Sequence, residues 1–395
     1  MRIGFDISQT GIAKAGCGYL ADCLIRHLAQ IDRVNDYILY PSFGDHFFDP
    51  GMPDSCDVIR QKNIQYGLCH RQPDKAQKFW RNPPEDFEAE LGNPDVIHAN
   101  NFFCPIGLKH AKLVYTLYDL GFIENPDWTK EANRVGCFDG VFNASLYADL
   151  IIAISEYSRS HFLKTFPHYS PDKVAVVHLA SRFSSPNPIQ RPESLDILRP
   201  GKFWLNVGTL EPRKNHLRLL KAFAKLKAST GQDLPLVIAG GKGWMLDDFQ
   251  NQIASLGVSE NVMLLGYVND MELQWLYQNC FCMVYPSLFE GFGLPVLEAM
   301  SQGAAVISSN NSSIPEIAGA AGVLVDPLDE EAIYQAMRRL ATGELSRDRL
   351  RGMASERAKK FSWRASATRT LELYQSLVPG HTPVTVMDSP LRSSQ

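Results

Sequence analysis

Two carboxylates eight residues apart, Glu290 and Glu298, stand in the segment Tyr285-Pro-Ser-Leu-Phe-Glu-Gly-Phe-Gly-Leu-Pro-Val-Leu-Glu-Ala-Met300. A strand is predicted to end at Tyr285 and a helix to begin near Pro295, where the missing proline N–H costs no hydrogen bond. Between them, Gly291 and Gly293 allow the backbone to approach a ligand closely. The amides around Phe292, Gly293 and Leu294 fall at the helix start, where unsatisfied donors suit a phosphate or a sugar oxygen. Glu298, about one turn into the helix, can accept two hydrogen bonds from a vicinal diol. Its bland alternative is to stabilise the helix N-terminus.

A second segment, Asn206-Val-Gly-Thr-Leu-Glu-Pro-Arg-Lys-Asn215, follows a predicted strand and opens a predicted helix. Gly208 and Thr209 form its turn, and the adjacent cations Arg213 and Lys214 can neutralise a departing diphosphate. Elsewhere an Arg-Lys pair would be a solvated surface feature. No Asp-x-Asp pair stands near a strand end, so no essential metal and no cofactor are expected. In the N-terminal half, Thr10-Gly-Ile-Ala-Lys-Ala-Gly-Cys-Gly-Tyr19 places Gly16 and Gly18 between a strand and a helix. Ala21 stands where a dinucleotide fingerprint needs its third glycine, which argues against a dinucleotide-dependent oxidoreductase. His98 ends the strand Val96–His98 and by itself reads as a satisfied strand-end histidine. Tyr118 and Asp119 follow the strand Leu113–Leu117.

Together these segments resemble the retaining GT-B glycosyltransferases of glycosyltransferase family 4, over roughly residues 1–377. The family's hallmark, Pro-Ser-x-x-Glu-Gly-Phe-Gly-Leu-Pro-x-x-Glu-Ala, is matched from Pro286 to Ala299. The resemblance implies that Glu298 binds the ribose hydroxyls of a nucleotide-sugar donor and that Glu290 faces the donor sugar. It implies that Lys214 clamps the pyrophosphate. Many members carry an arginine directly after the glycine; here that position is Thr209, and Arg213 is taken to supply the second charge. The backbone of Gly266, Tyr267 and Val268 would lie against the nucleobase, and Gly16 and Gly18 would reach donor phosphate and acceptor. Glu316 is given a supporting role, with Ser312 and Ser313 in place of the usual glycines. Many members also carry His-Asp where this chain has Tyr118-Asp119, and a phenol with a pKa near ~10 is a poor base at neutral pH. The implied reaction is retaining transfer of a hexose to a sugar hydroxyl of a polysaccharide or lipid-linked acceptor. GDP-mannose is the favoured donor. UDP-glucose or another UDP-sugar, a sugar phosphorylase and a non-catalytic sugar-nucleotide-binding protein stay open as alternatives.

These residues need elements to hold them. Strand-like runs at Arg2–Ile7, Tyr37–Tyr40, Val58–Ile59, Val96–His98, Leu113–Leu117, Leu150–Ile154 and Val174–Leu179 alternate with helical stretches, the signature of a parallel, doubly wound α/β sheet. The Ser- and Pro-rich stretch 184–200 marks a linker. The alternation then restarts at Phe203–Val207. The predicted organisation is an N-terminal, acceptor-side Rossmann-like domain over 1–183 and a donor domain over 201–361. The helix over 362–377 returns to the N-domain, and a disordered tail covers 378–395. Two such sheets place their carboxyl ends at a shared interdomain cleft.

The 395 residues carry a formal net charge of −4, which excludes the whole molecule as a binder of nucleic acid or other polyanions. Eight scattered cysteines without a Cys-x-x-Cys pair fit free thiols in a reducing cytoplasm. No signal peptide and no membrane-spanning run is read from the sequence. One segment suggests contact with a membrane surface. Arg71, Lys75, Lys78 and Arg81 share a helical face beside Phe79 and Trp80, a pattern suited to the anionic inner face of a cell membrane. A solvated helix face covering the core is the alternative.

Overall fold

A computed structural model describes residues 1–11, 14, 16–44, 59–68, 73–183, 187–243 and 248–380. The first sheet contains β1 (Arg2–Asp6), β2 (Asp36–Tyr40), β3 (Ile64–Tyr66), β4 (Val96–Ala99), β5 (Lys112–Leu117), β6 (Leu150–Ala153) and β7 (Val174–Val176). The second contains β8 (Trp204–Val207), β9 (Leu236–Ala239), β10 (Val262–Gly266), β11 (Cys282–Tyr285), β12 (Val306–Ser309) and β13 (Val323–Val325). Every pairing is parallel, with order β3-β2-β1-β4-β5-β6-β7 and β10-β9-β8-β11-β12-β13. Strands such as Leu150–Ala153 and Cys282–Tyr285 are buried along their whole length. That is what short apolar runs give when helices cover both faces of a parallel sheet. This is the GT-B architecture: two Rossmann-like domains facing one another.

Strand order reverses between β1 and β4 in one sheet and between β8 and β11 in the other. Ligands bind outside the strand ends at such switch points. The loops leaving β1, β4 and β5 carry Gly16, Asn100 and Tyr118; those leaving β8 and β11 carry Lys214 and Glu290. The helix Trp363–Leu377 returns to the first domain, where Trp363 stacks on His27 at 6.2 Å and Tyr374 meets His98. A continuous apolar cluster runs from Ile3 and Leu24 through Phe183 to Phe292 and Leu371. Each such side chain contributes about 1.5–3 kcal/mol by leaving water, so the core ties both domains together.

Several expectations are corrected. The strand anticipated at Val58–Ile59 is not found: Val58 lies outside the described residues, Ile59 is in no strand, and β3 is Ile64–Tyr66. The strand β13 and the long helix Glu131–Tyr147 were not foreseen. That helix buries Val141 with the small residues Gly136, Gly140, Ala144 and Ser145, and exposes Val135, Phe138, Phe142 and Leu146. It inverts the pattern by which an amphipathic helix is recognised. The Ser/Pro-rich stretch is held down by Leu195 and Leu198, both buried; Ser184 to Pro186, like the tail from residue 381, falls outside the described residues. No helix among the described residues is long and apolar enough to cross a membrane.

Candidate active site

Glu290 is the hub. The chain leaves β11 at Tyr285 and turns back, so the carboxylate faces the strand it came from. Tyr285 donates its hydroxyl to Oε1 at 2.7 Å, Ser287 at 2.6 Å and Lys214 Nζ at 2.7 Å; Arg213 Nη1 lies 3.4 Å from Oε2. Burial by itself would raise the Glu290 pKa, but Lys214 and Arg213 outweigh it and hold the carboxyl at about 2. Two serines fasten this loop. Ser312 Oγ accepts from the Glu290 amide at 3.0 Å, and Ser313 Oγ donates to the Glu290 carbonyl at 2.9 Å. Ser312 adopts φ 51°, a left-handed conformation that glycine takes without cost.

Lys214 and Arg213 sit in a single tight turn, Pro212–Lys214, ahead of the helix His216–Thr230 rather than at its first residues. Asn215, at φ 60°, separates the two and anchors the turn by donating to the Pro286 and Pro327 carbonyls. Lys214 Nζ also donates to the Tyr285 hydroxyl at 2.7 Å. Arg213 is braced by the Phe289 carbonyl at 3.0 Å and by Glu211 at 3.0 Å. Burial lowers the Arg213 pKa, but Glu290, Asp119 and Glu211 together raise it above the ordinary guanidinium value. Gly208 and Thr209 line the same turn: the Lys214 stem passes over Gly208, and the Thr209 carbonyl is held by His216 at 3.1 Å.

Gly293 caps the helix Leu294–Ser301 at φ 98°, and a side chain there would meet Ile314 at 2.6 Å. The Gly293 and Leu294 amides meet no acceptor among the described residues, which leaves them available to a ligand oxygen. Phe292 is buried against His178 and Phe361, so only its backbone faces the loop. Glu298 is buried too. Its Oε2 accepts from Tyr277 at 3.2 Å, and its Oε1 lies 3.0 Å from Arg182 Nε. Arg182 was missed in the sequence: a single arginine at the edge of a linker carries no local signal. Gly266 ends β10 at φ 69°; Tyr267 is exposed and Val268 half-buried.

The two domains touch around this centre. A side chain on Gly291 would lie 2.5 Å from the Tyr118 carbonyl. Ser155 donates to the Gly291 carbonyl at 2.7 Å, and Ser158 to the Tyr118 carbonyl at 2.8 Å. Phe289 inserts among Trp128, Tyr157 and His161. Glu316 spans the cleft: it accepts from the Glu156 amide at 2.9 Å and pairs with His178 at 2.6 Å. Asp119 therefore stands on the N-domain side, opposite Arg213, held by the Gly121 amide at 2.8 Å.

Other N-domain candidates are moved by the structure. His98 is fully buried, with Nδ1 2.5 Å from Tyr374 and Nε2 2.8 Å from Thr116. Burial lowers its pKa to about 3. It is a neutral tie between sheet and returning helix, not a cleft residue. Tyr118 packs at a tilt against Phe102 and donates to the Asn100 carbonyl at 2.5 Å; burial raises its pKa well above the usual phenol value. It supplies no base. A side chain on Gly18 would lie 2.0 Å from the Gln9 carbonyl, so this glycine packs the helix Gly16–Ile31 onto the loop, while Gly16 is exposed at the helix start. In the basic helix Pro73–Arg81, Lys75, Lys78 and Arg81 are exposed, whereas Trp80 is buried against Phe43 and Phe103. The tryptophan belongs to the core, not to a membrane interface; Arg71 lies outside the described residues.

Known proteins resemble this chain in sequence and in fold. The family described as "Glycosyl transferases group 1" matches residues 191–361. O-antigen chain mannosyltransferase B of Escherichia coli is 36% identical over 390 residues, 95% of this chain and 100% of that one. The Campylobacter jejuni N-acetylgalactosamine-N,N'-diacetylbacillosaminyl-diphospho-undecaprenol 4-alpha-N-acetylgalactosaminyltransferase is 31% identical over 218 residues, 54% of this chain and 56% of that one. Among solved structures, sucrose-phosphate synthase from Thermosynechococcus elongatus superposes with a TM-score of 0.71 at 18% identity, covering 95% of this chain and 99% of that one. That likeness concerns the fold alone.

Proposed function

The chain belongs to the group 1 glycosyl transferases, and on that premise we propose that it is a retaining family 4 mannosyltransferase using GDP-mannose. The observation that carries this reading is the buried triangle of Glu290, Lys214 and Arg213 beside the free amides of Gly293 and Leu294. The mannosyl donor is supported by the 36% identity to an O-antigen mannosyltransferase along the whole chain. In this reading the diphosphate lies between Lys214, Arg213 and the helix-start amides. Preorganised donors aimed at charge that develops on the leaving group lower the barrier without reorganising. No metal is required for that role. Glu290 orients the sugar while its charge is spent on Lys214, which makes it a poor covalent nucleophile. Attack comes from the same face, and the leaving phosphate takes the acceptor's proton. Glu298 binds the ribose hydroxyls, and the Gly266–Val268 backbone receives the base.

The acceptor is a sugar hydroxyl of a growing polysaccharide, and a lipid-linked one is supported by the diphospho-undecaprenol substrate in one relative's name. Peripheral docking on the inner face of the membrane would then use the exposed Lys75, Lys78 and Arg81 with the exposed row Val135, Phe138, Phe142 and Leu146. A thermal-shift panel of GDP, UDP, GDP-mannose and UDP-glucose tests the donor, since a ligand that binds only the folded state raises the melting temperature. Stabilisation by the uridine compounds alone would overturn GDP-mannose.

A further inference from the structure

Arg182 lies where the chain leaves the first domain, and its backbone is fixed on both sides. Ser181 shares a hydrogen bond with Ser301 at 2.8 Å, its carbonyl accepts from Trp363 at 3.1 Å, and Phe183 packs edge-on against Tyr277. The guanidinium is largely buried among Glu298, Asp270 and the rings of Tyr19 and Phe183. Nε lies 3.0 Å from Glu298 Oε1, Nη1 lies 3.2 Å from Asp270, and the cation covers the Tyr19 ring at 4.1 Å. Among the described residues it is the one cation paired with Glu298. We propose that Arg182 is a positioning residue for the donor, holding Glu298 as a charged, aimed acceptor for the ribose hydroxyls. The proposal rests on the ribose-binding reading of Glu298.

The geometry suits that task. Arg182 lies beside one carboxylate oxygen as an ion pair, its buried Nε making no hydrogen bond, and Tyr277 donates to the other, so each oxygen keeps a lone pair for a hydroxyl of a vicinal diol. A buried carboxyl without a cation takes up a proton, and the acid then loses acceptor capacity. Burial already raises the Glu298 pKa to about 7 with Arg182 beside it, and Asp270 adds to the rise while Tyr277 opposes it. The other groups facing Glu298 do not replace the arginine. Burial pushes Tyr19 and Cys23 up to about 12, so both are neutral, and Lys14 is paired with Asp22 at 3.2 Å.

Titration of GDP and 2′,3′-dideoxy-GDP by calorimetry between pH 6 and 9.5 tests this in wild type, R182Q, R182K and E298Q. The ratio of the two affinities reads the diol contact alone. Wild type is expected to prefer the ribonucleotide by about tenfold at pH 8, with the preference falling below pH 7 as Glu298 takes up its proton. R182Q should lose the preference at pH 8 and recover part of it by pH 9.5, and R182K should keep it to within about threefold. E298Q should show none at any pH. A full preference in R182Q at every pH, or a loss without recovery in both Arg182 variants, overturns the positioning role. If R182Q does not fold, a flat wild-type ratio from pH 6 to 8, or an R182K protein with no preference, overturns it as well. A preference surviving in E298Q instead refutes the ribose reading itself. If GDP does not bind, UDP and its dideoxy analogue are the probes, and binding of neither also refutes that reading.

Discussion

Lys214→Ala isolates the role of one charge. Lys214 is the nearest cation to Glu290, at 2.7 Å, and the first of the groups opposing burial there. The Glu290 pKa falls from 4.5 to about 2, so its surroundings favour the charged form by roughly 3 kcal/mol net. Removing Lys214 leaves Arg213 at 3.4 Å, with Tyr285 and Ser287 still donating. The folded protein should therefore lose about 2–3 kcal/mol, less than a fully orphaned buried charge would cost. If Lys214 also stabilises the departing diphosphate, the loss of one preorganised donor lowers turnover by about 100-fold or more. The two effects are separable. Unfolding monitored by circular dichroism gives the first, and initial rates of transfer from GDP-mannose, taken well below the variant's melting range, give the second. A folded Lys214→Ala protein with turnover within about threefold of wild type would falsify the clamp, whatever its stability.

Glu298→Ala is expected to weaken binding of the bare nucleoside diphosphate, and Glu290→Ala to weaken the sugar nucleotide more than the bare nucleotide. Calorimetry of both ligands with both variants checks this, and equal losses throughout would refute the division of labour. Transfer activity should survive a strong chelator if, as proposed, Lys214 and Arg213 carry the diphosphate charge; complete loss with EDTA, restored by magnesium or manganese, would overturn that view. Liposomes containing anionic lipid should float the protein at low salt, where screening is weakest, and Ser at Phe138 and Phe142 should reduce flotation. Equal recovery with neutral vesicles would favour a soluble acceptor.

The alternation of strands and helices, the glycine-bracketed glutamates and the basic turn were legible in the chain because each is local: a few consecutive residues set strand, loop and helix start. Periodicity failed where its premise failed. Glu131–Tyr147 carries most of its large apolar residues on the exposed side and, Val141 apart, small ones inside. Trp80 looked like an interfacial aromatic by its neighbours' charge, yet it packs on Phe43, 37 positions earlier in the chain. The electrostatics of the site were beyond local reading for the same reason. Lys214 meets Glu290 from 76 residues away, and His98 reaches Tyr374 across 276. Arg182 meets Glu298 only because the residues just before the linker run along a helix of the second domain. Types and spacing of residues determined which groups exist to do chemistry. Burial and long-range ion pairing, which arise only when distant segments exclude water together, decided which carboxylate is charged, which histidine is silent and which arginine belongs to the site.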